Sequence, residues 1–275
     1  MIKAQNKQRN LLWYVALGVV SVFVLFPIYL ILIIALAPPS DIFRPTPALI
    51  PSTITFSRFY IALVEYNFMS HLLISLEAAF MVAGISMILG IPAAYSISKL
   101  PRKLSYMVII FLFITQMIPE IQIGVPITRT MAQIHLTNTA LGVAIAQSSI
   151  ALPMITYILV GAFRSVPHRL NESARIDGAS KIQAFLQIDV PLSLTGIYVG
   201  VILAWLFSWD EFVLASMIAP LHETVPVLIY QNITRGVGGI PAADAFSIIL
   251  MIPVVVLVLV LQKYLRSNVM AGALK

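Results

Sequence analysis

Residues 11–37 run without a single charged side chain. About 20 apolar residues are enough to cross the hydrocarbon core of a bilayer. This run therefore reads as a membrane span. Five more follow, at about 72–98, 104–125, 136–163, 190–218 and 244–265. Prolines inside these runs (Pro27, Pro92, Pro119, Pro153, Pro253) are tolerable because neighbouring helices and Ser/Thr hydroxyls can satisfy the freed carbonyls. The first run is too long for a removable signal peptide and lacks a small-residue cleavage site. The expected fold class is all-α integral membrane. Six transmembrane helices would form one membrane domain over 1–275, with no soluble second domain.

Composition agrees and removes several functions. Hydrophobic residues make up 60% of the chain and charged residues 10%, against about 25% charged in a soluble domain. There is no cysteine, so disulfides and thiolate metal sites are excluded. The four histidines, His71, His135, His168 and His222, show no metal-ligand spacing. Neither a Gly-x-x-x-x-Gly-Lys phosphate loop nor a Ser/His/Asp set is present. The chain is therefore not expected to be an enzyme, to hydrolyse ATP or to hold a cofactor of its own.

Lys and Arg orient the spans. With the N-terminus inside, the inner segments hold Lys3, Lys7, Arg9, Lys99, Arg102, Lys103, Arg164, Arg169, Arg175, Lys181, Lys263, Arg266 and Lys275, or 13 of the 17 basic residues. The outer segments hold the other four, Arg44, Arg58, Arg129 and Arg235. Both termini and the segment 164–189 are thus expected in the cytoplasm. The net charge of +6 follows from this asymmetry and calls for no nucleic acid. Among the outer segments, 38–70 reads as a loop with a short surface helix over Thr55–Val64. Residues 219–243 read as a second loop, with Thr224-Val225-Pro226 and the glycines of Gly236-Val237-Gly238-Gly239.

The segment 164–191, RSVPHRLNESARIDGASKIQAFLQIDVP, is charged and polar between apolar runs. Residues 168–177 can be laid out as a short helix. Glu172, Arg175 and Ala179 then share one side, and Asp177 and Lys181 form an i, i+4 pair. Gly178 stops or bends that helix. A second amphipathic turn follows with Ile182, Phe185, Leu186 and Ile188, and Pro191 opens the next apolar run. The pattern is a helix–glycine–helix element on the membrane surface, shaped to be held from outside the membrane.

Glu172-Ser173-Ala174, then Gly178, Ile188 and Pro191, resembles the EAA loop of permease subunits of binding-protein-dependent ABC importers. Ser173 stands where that pattern has its middle alanine. Asp177-Gly178-Ala179 and Phe185 are similar to the carbohydrate-uptake branch, the maltose-type second permease. A literal Glu77-Ala78-Ala79 lies inside an apolar run without the downstream glycine and proline and is read as coincidence. The resemblance implies a cytoplasmic coupling helix between helices four and five. Its ATPase-coupling residues would be Glu172, Ser173, Ala174, Asp177, Gly178, Ala179, Phe185 and Pro191.

Inside the spans, Ser86, Gly90, Ala94 and Ser98 recur every four residues, a stripe that lets helix backbones approach. Thr115, Gln116, Glu120 and Gln122 cluster in span three, and Gln147, Ser148 and Ser149 in span four. Polar groups in a membrane are costly and commonly face a cavity or a partner. The stretch from Trp205 to Phe212, with Ser208-Trp209-Asp210-Glu211-Phe212, resembles the family's Trp-Asn-Glu-Phe stretch in span five, with Asp210 for asparagine. The candidate substrate path is Gln116, Glu120, Trp209, Asp210 and Glu211, with a structural hydrogen bond and an interfacial aromatic belt as rival readings. The ending Gly272-Ala273-Leu274-Lys275 is similar to the family's closing pattern, without its final glycine.

The resemblance extends over nearly the whole chain. It implies half of a translocation path for a sugar or sugar-like solute in a prokaryotic inner membrane. The implied partners are a second permease, two ATPase subunits that bind ATP and Mg, and an extracytoplasmic solute-binding protein. An ion-coupled secondary transporter is the alternative, yet no internal repeat or intramembrane Lys or Arg supports one. A membrane enzyme would need a convergent catalytic cluster. A non-transport scaffold is the remaining reading.

Overall fold

Helices follow the apolar runs and break where a proline, a glycine or a buried carboxylate intervenes. A computed structural model describes the backbone of residues 2–42, 49–235 and 239–272, and the side chains of 13–42, 49–234 and 242–260. Arg44, the glycines of 236–238 and the closing 273–275 lie outside the described residues. In chain order the helices are α1 (Ile2–Leu36), α2 (Pro39–Ile42), α3 (Ser57–Tyr60), α4 (Phe68–Lys99), α5 (Arg102–Thr115), α6 (Glu120–Gln133) and α7 (Ala140–Arg164). They continue as α8 (His168–Ile176), α9 (Lys181–Ala184), α10 (Val190–Leu192), α11 (Leu194–Asp210), α12 (Val213–Ile218), α13 (Val225–Arg235) and α14 (Gly239–Gly272). Two π turns, Ile61–Glu65 and Phe185–Asp189, interrupt the α-helical pattern.

Four stretches are long and apolar enough to cross a membrane: Trp13–Leu36, Phe68–Lys99, Ala140–Arg164 and Ala242–Val260. Two bent pairs raise the number to six if each is one span. The first joins α5 to α6 through an 84° bend, and the second joins Lys181–Leu192 to α11 through 75°. Pro119 accounts for the first bend, since proline cannot continue the preceding helix and restricts the residue before it.

The chain forms two compact units. One comprises Met1–Phe68 and Ile229–Met251, the other Met69–Leu228 and Ile252–Lys275. In the first, Arg58 closes the end of α1, with Nη1 donating to the carbonyls of Ile34 at 2.6 Å and Ala37 at 2.5 Å. The last carbonyls of a helix lack partners within it, and a cation suits that negative end. Burial lowers the Arg58 guanidinium from its ordinary value, while the charge of Asp244 acts in the opposite sense. Phe246 stacks on Phe68 and meets Tyr66 edge-on. Along Trp13–Leu36 most of the apolar side chains are exposed, above all from Trp13 to Phe26, so lipid or another protein must cover them.

In the second unit α7 is the central helix, and its most extensive contact is with α11. Small residues set that approach. A Cβ at Gly196 would overlap that of Ala162, and one at Gly200 would lie 3.3 Å from Leu159 Cδ2. The stripe of α4 also faces α7. Ser86 and Ala94 are fully buried, and a Cβ at Gly90 would come within 3.3 Å of Leu159 Cδ1. A separate apolar cluster joins Met131, Val143, Ile150, Leu214, Ile218 and Val227. Thr139 caps α7 by accepting from Gly142 N at 3.0 Å, as N-cap threonines do.

Three expectations are revised in detail. Span three does not run straight from 104 to 125 but turns at Gln116–Pro119 and continues as α6 to Gln133. Span five is interrupted at Glu211, whose backbone is extended (ψ 128°), before α12 resumes. The segment 219–243 contains α13 rather than an open loop. Pro226 sits in the first turn of α13, where a missing N–H matters little, and Val225, Val227 and Leu228 are buried. The expected outer helix is present as α3 and the π turn after it.

Candidate functional site

The segment expected to couple to an ATPase begins where α7 is anchored at its end. Arg164 Nη2 donates to Ser105 Oγ at 2.6 Å and lies over the Tyr106 ring. Pro167 then precedes α8. Along α8 Glu172 is exposed and meets His168 at 3.1 Å, one turn away and also exposed. The helix stops at Ile176 because Gly178 adopts φ +95°. Gly178 N donates to Arg175 O at 3.2 Å and Ala179 N to Ala174 O at 2.9 Å. This pair of bonds is a Schellman motif, with glycine in the left-handed position it favours.

The turn separates residues that a continuous helix would align. Glu172 and Arg175 remain on α8, whereas Ala179 lies beyond it. Asp177 and Lys181 belong to different elements. Ser180 then starts α9 with a capping box: its Oγ accepts from Gln183 N at 3.2 Å, and its own N–H donates to Gln183 Oε1 at 2.8 Å. That Ser-x-x-Gln signature stands in the sequence and marks a helix start. Ile176 and Ile182, on either side of the glycine turn, are 86% and 70% exposed. Such a patch calls for a partner.

Two expected coupling residues sit differently from the rest. Phe185 faces the protein, 4.5 Å from the Tyr95 ring and 6.1 Å from Phe163. Pro191 is exposed on α10. Beneath the segment lies a group that sequence reasoning missed. Asp189 is fully buried. Its Oδ1 is 3.2 Å from Lys99 Nζ, and its Oδ2 accepts from Asn171 Nδ2. Lys99 also lies 4.9 Å from the centre of the Tyr95 ring. The available signal was an aspartate at the mouth of an apolar run, paired in sign with a lysine at the end of another.

A cavity of about 550 Å³ opens within the second unit. Most of its lining is apolar, and Gln116, Glu120, Asp210 and Glu211 supply the polar groups. Gln116 Nε2 donates to Ile150 O at 2.7 Å, three residues before Pro153 on α7. Glu120 occupies the first turn of α6, where a carboxylate suits the positive helix end. Asp210 is exposed at the end of α11. Glu211 is buried, accepting from Gln147 Nε2 and Leu214 N at 2.6 Å each and from Ala215 N at 3.1 Å. Ser208 Oγ donates to Gln147 Oε1 at 2.6 Å and extends this network. Trp209 does not line the cavity; it is buried and stacked 4.6 Å from Trp205. Phe212, the end of the span-five stretch, and Phe207 supply the aromatic walls instead. Among the described residues no group of three His, Asp or Glu could hold a metal ion.

Residues 86–270 match the family model described as binding-protein-dependent transport system inner membrane component. The chain belongs to that family. The trehalose transport system permease protein SugB of Mycobacterium tuberculosis is 30% identical over 276 residues, covering 98% of both chains. The trehalose/maltose transport system permease protein MalG of Thermococcus litoralis is 31% identical over 186 residues, 66% of this chain and 67% of its own. Among solved structures, a bacterial ABC transporter involved in import of the acidic polysaccharide alginate superposes with a TM-score of 0.73 at 19% identity, over 94% of this chain and 97% of that one. The permease is thus a multi-pass inner-membrane subunit of an ABC importer and not an enzyme, and ATP hydrolysis belongs to a separate subunit.

Proposed function

We propose that the permease forms half of the translocation path of a sugar importer. Its coupling segment would be α8, the Gly178 turn and α9. The single observation that carries this is the segment's form: an exposed Glu172 on a short helix, closed by a Schellman glycine and flanked by exposed Ile176 and Ile182. It presents a charge and an apolar patch on one rigid protrusion, which suits a socket on an ATPase. The relatives named for trehalose and maltose support a sugar. The cavity, with its apolar walls, Phe207, Phe212 and carboxylates, has the mixture that carbohydrate binding requires.

The working assembly would comprise this chain, a second permease, two ATPase subunits and an external solute-binding protein. A related alginate transporter has been solved with its periplasmic protein bound to an alginate pentasaccharide. Both termini and the coupling segment would face the cytoplasm. ATP would close the ATPase pair and carry the coupling helices together. The spans would then move as rigid bundles and open the cavity outward to receive solute, and hydrolysis would restore the inward state. Gln116, Glu120 and Asp210 would meet the solute. Glu211 would hold α12 in place, and Trp209 would pack behind the path.

Solubilisation in mild detergent tests the assembly. The permease is expected to purify with an ATPase and a second permease, and the complex to hydrolyse ATP faster with its binding protein and a disaccharide. A permease that purifies alone and takes up solute on an ion gradient would favour secondary transport instead.

A further inference from the structure

The coupling segment is joined covalently to two spans, α7 through 165–167 and α11 through α10. The structure adds a third attachment that the chain does not make. Asp189 sits at the end of the Phe185–Asp189 π turn, fully buried. One carboxylate oxygen takes Lys99 from the end of α4 at 3.2 Å, and the other takes Asn171 from α8. Phe185, at the start of the same turn, lies 4.5 Å from Tyr95, one turn before Lys99 on α4. A buried carboxylate with one cation and one amide donor is a high-stakes arrangement, because removing a partner leaves a charge without compensation. A π turn also marks a place where a helix departs from its regular ladder, often for function.

We propose that Asp189 is a positioning residue that locks α8 to the cytoplasmic end of α4 through Asn171 and Lys99, so that displacement of the coupling helix moves α4 as well as α7 and α11. This rests on the importer reading. The lock explains why an aspartate stands at the mouth of an apolar run where a neutral residue would be easier to bury. It also explains why Phe185 is directed inward: the ring and the ion pair bind the same stretch of α4. Without the lock, α8 could shift on the Pro167 and Gly178 ends while α4 stayed behind. ATP would then be hydrolysed with little solute moved.

The test uses the whole transporter in liposomes, with Asp189→Asn and Lys99→Met. Asparagine keeps the shape and an acceptor for Asn171 but loses the ion pair. Trehalose and maltose, each radiolabelled, serve as the probes. Assembly and hydrolysis are expected to persist in both variants. Sugar imported per ATP should fall about fivefold or more, within the range of ordinary coupling free energies. A second readout needs no loss of function. The chain has no cysteine, so spin labels can be placed at Ser96→Cys on α4 and Arg169→Cys on α8. With Asp189 intact the distance between them should be the same without nucleotide and with ATP trapped, and with Asp189→Asn it should shift or broaden. Wild-type import per ATP in the variants, or a label distance that changes with ATP while Asp189 is intact, would overturn the lock. So would a loss of complex yield with normal import per ATP in whatever assembles. A wild-type transporter with no ATP-driven uptake of any sugar would overturn the importer reading, and the lock with it.

Discussion

Gln147 donates a 2.6 Å hydrogen bond to Glu211, and both side chains are buried. The pair joins the first half of α7 to the break between α11 and α12. Glu211 also accepts from the backbone N–H groups of Leu214 and Ala215, so it caps α12 with a charge at the helix's positive end. Truncation to alanine would leave three buried donors without an acceptor, at about 1–3 kcal/mol each. Glu211→Ala is therefore expected to lower complex yield and thermal stability before it affects transport specifically, and thermal unfolding followed by size-exclusion recovery measures this. An unchanged melting temperature with lost uptake would move Glu211 back into the path.

Glu120, Asp210 and Glu211 all line the cavity, but Glu211 is held by Gln147, Leu214 and Ala215, whereas among the described residues Glu120 and Asp210 make no such side-chain bonds. Glu120→Gln and Asp210→Asn should reduce sugar uptake severalfold while basal ATP hydrolysis, complex yield and solute binding to the external protein stay normal. Vesicle uptake beside an ATPase assay checks both. Trp209→Phe, at a stacked and buried position, should affect stability more than rate.

Gly178 closes α8 at φ +95°. A side chain there meets no neighbour within 4 Å, so any penalty is conformational and not steric crowding. A left-handed residue with a Cβ costs about 1–2 kcal/mol, and a β-branched one is a stronger outlier. Gly178→Val should weaken ATPase stimulation or assembly, whereas Ser173→Ala, at an exposed position, should be nearly silent. Pull-down of the ATPase by each variant compares them directly.

The topology is open to a reporter. With 13 of 17 basic residues assigned to the inner side, a phosphatase that works only after export should be inactive when fused after Lys275. Activity there would place the coupling segment on the wrong side of the membrane.

The apolar runs were legible because helix length and lipid thickness are linked, and the short helix that stops at Gly178 was legible because glycine spacing is local chemistry. What stayed hidden depends on contacts far apart in the chain. The break at Glu211 comes from hydrogen bonds with Gln147 on another helix, which hydropathy does not register. α13 was obscured because Pro226 looks like a loop marker until its place in the first turn is known. Trp209 reads in the sequence as an aromatic beside a carboxylate, suited to a sugar; that its ring is buried and stacked on Trp205 is visible only in the fold. Asp189 and Lys99 lie 90 positions apart, and only the fold brings them together.

Glu172 carries the central claim. Among the described residues it meets His168, at 3.1 Å on an exposed surface, and such a pair adds little stability. Its carboxylate is free to serve a partner through a charge-assisted hydrogen bond. The decisive measurement is ATP-driven disaccharide uptake by membrane vesicles carrying Glu172→Ala beside His168→Ala, at matched membrane levels. The account predicts that His168→Ala transports nearly as wild type and that Glu172→Ala hydrolyses ATP without import. Wild-type uptake by Glu172→Ala would contradict it.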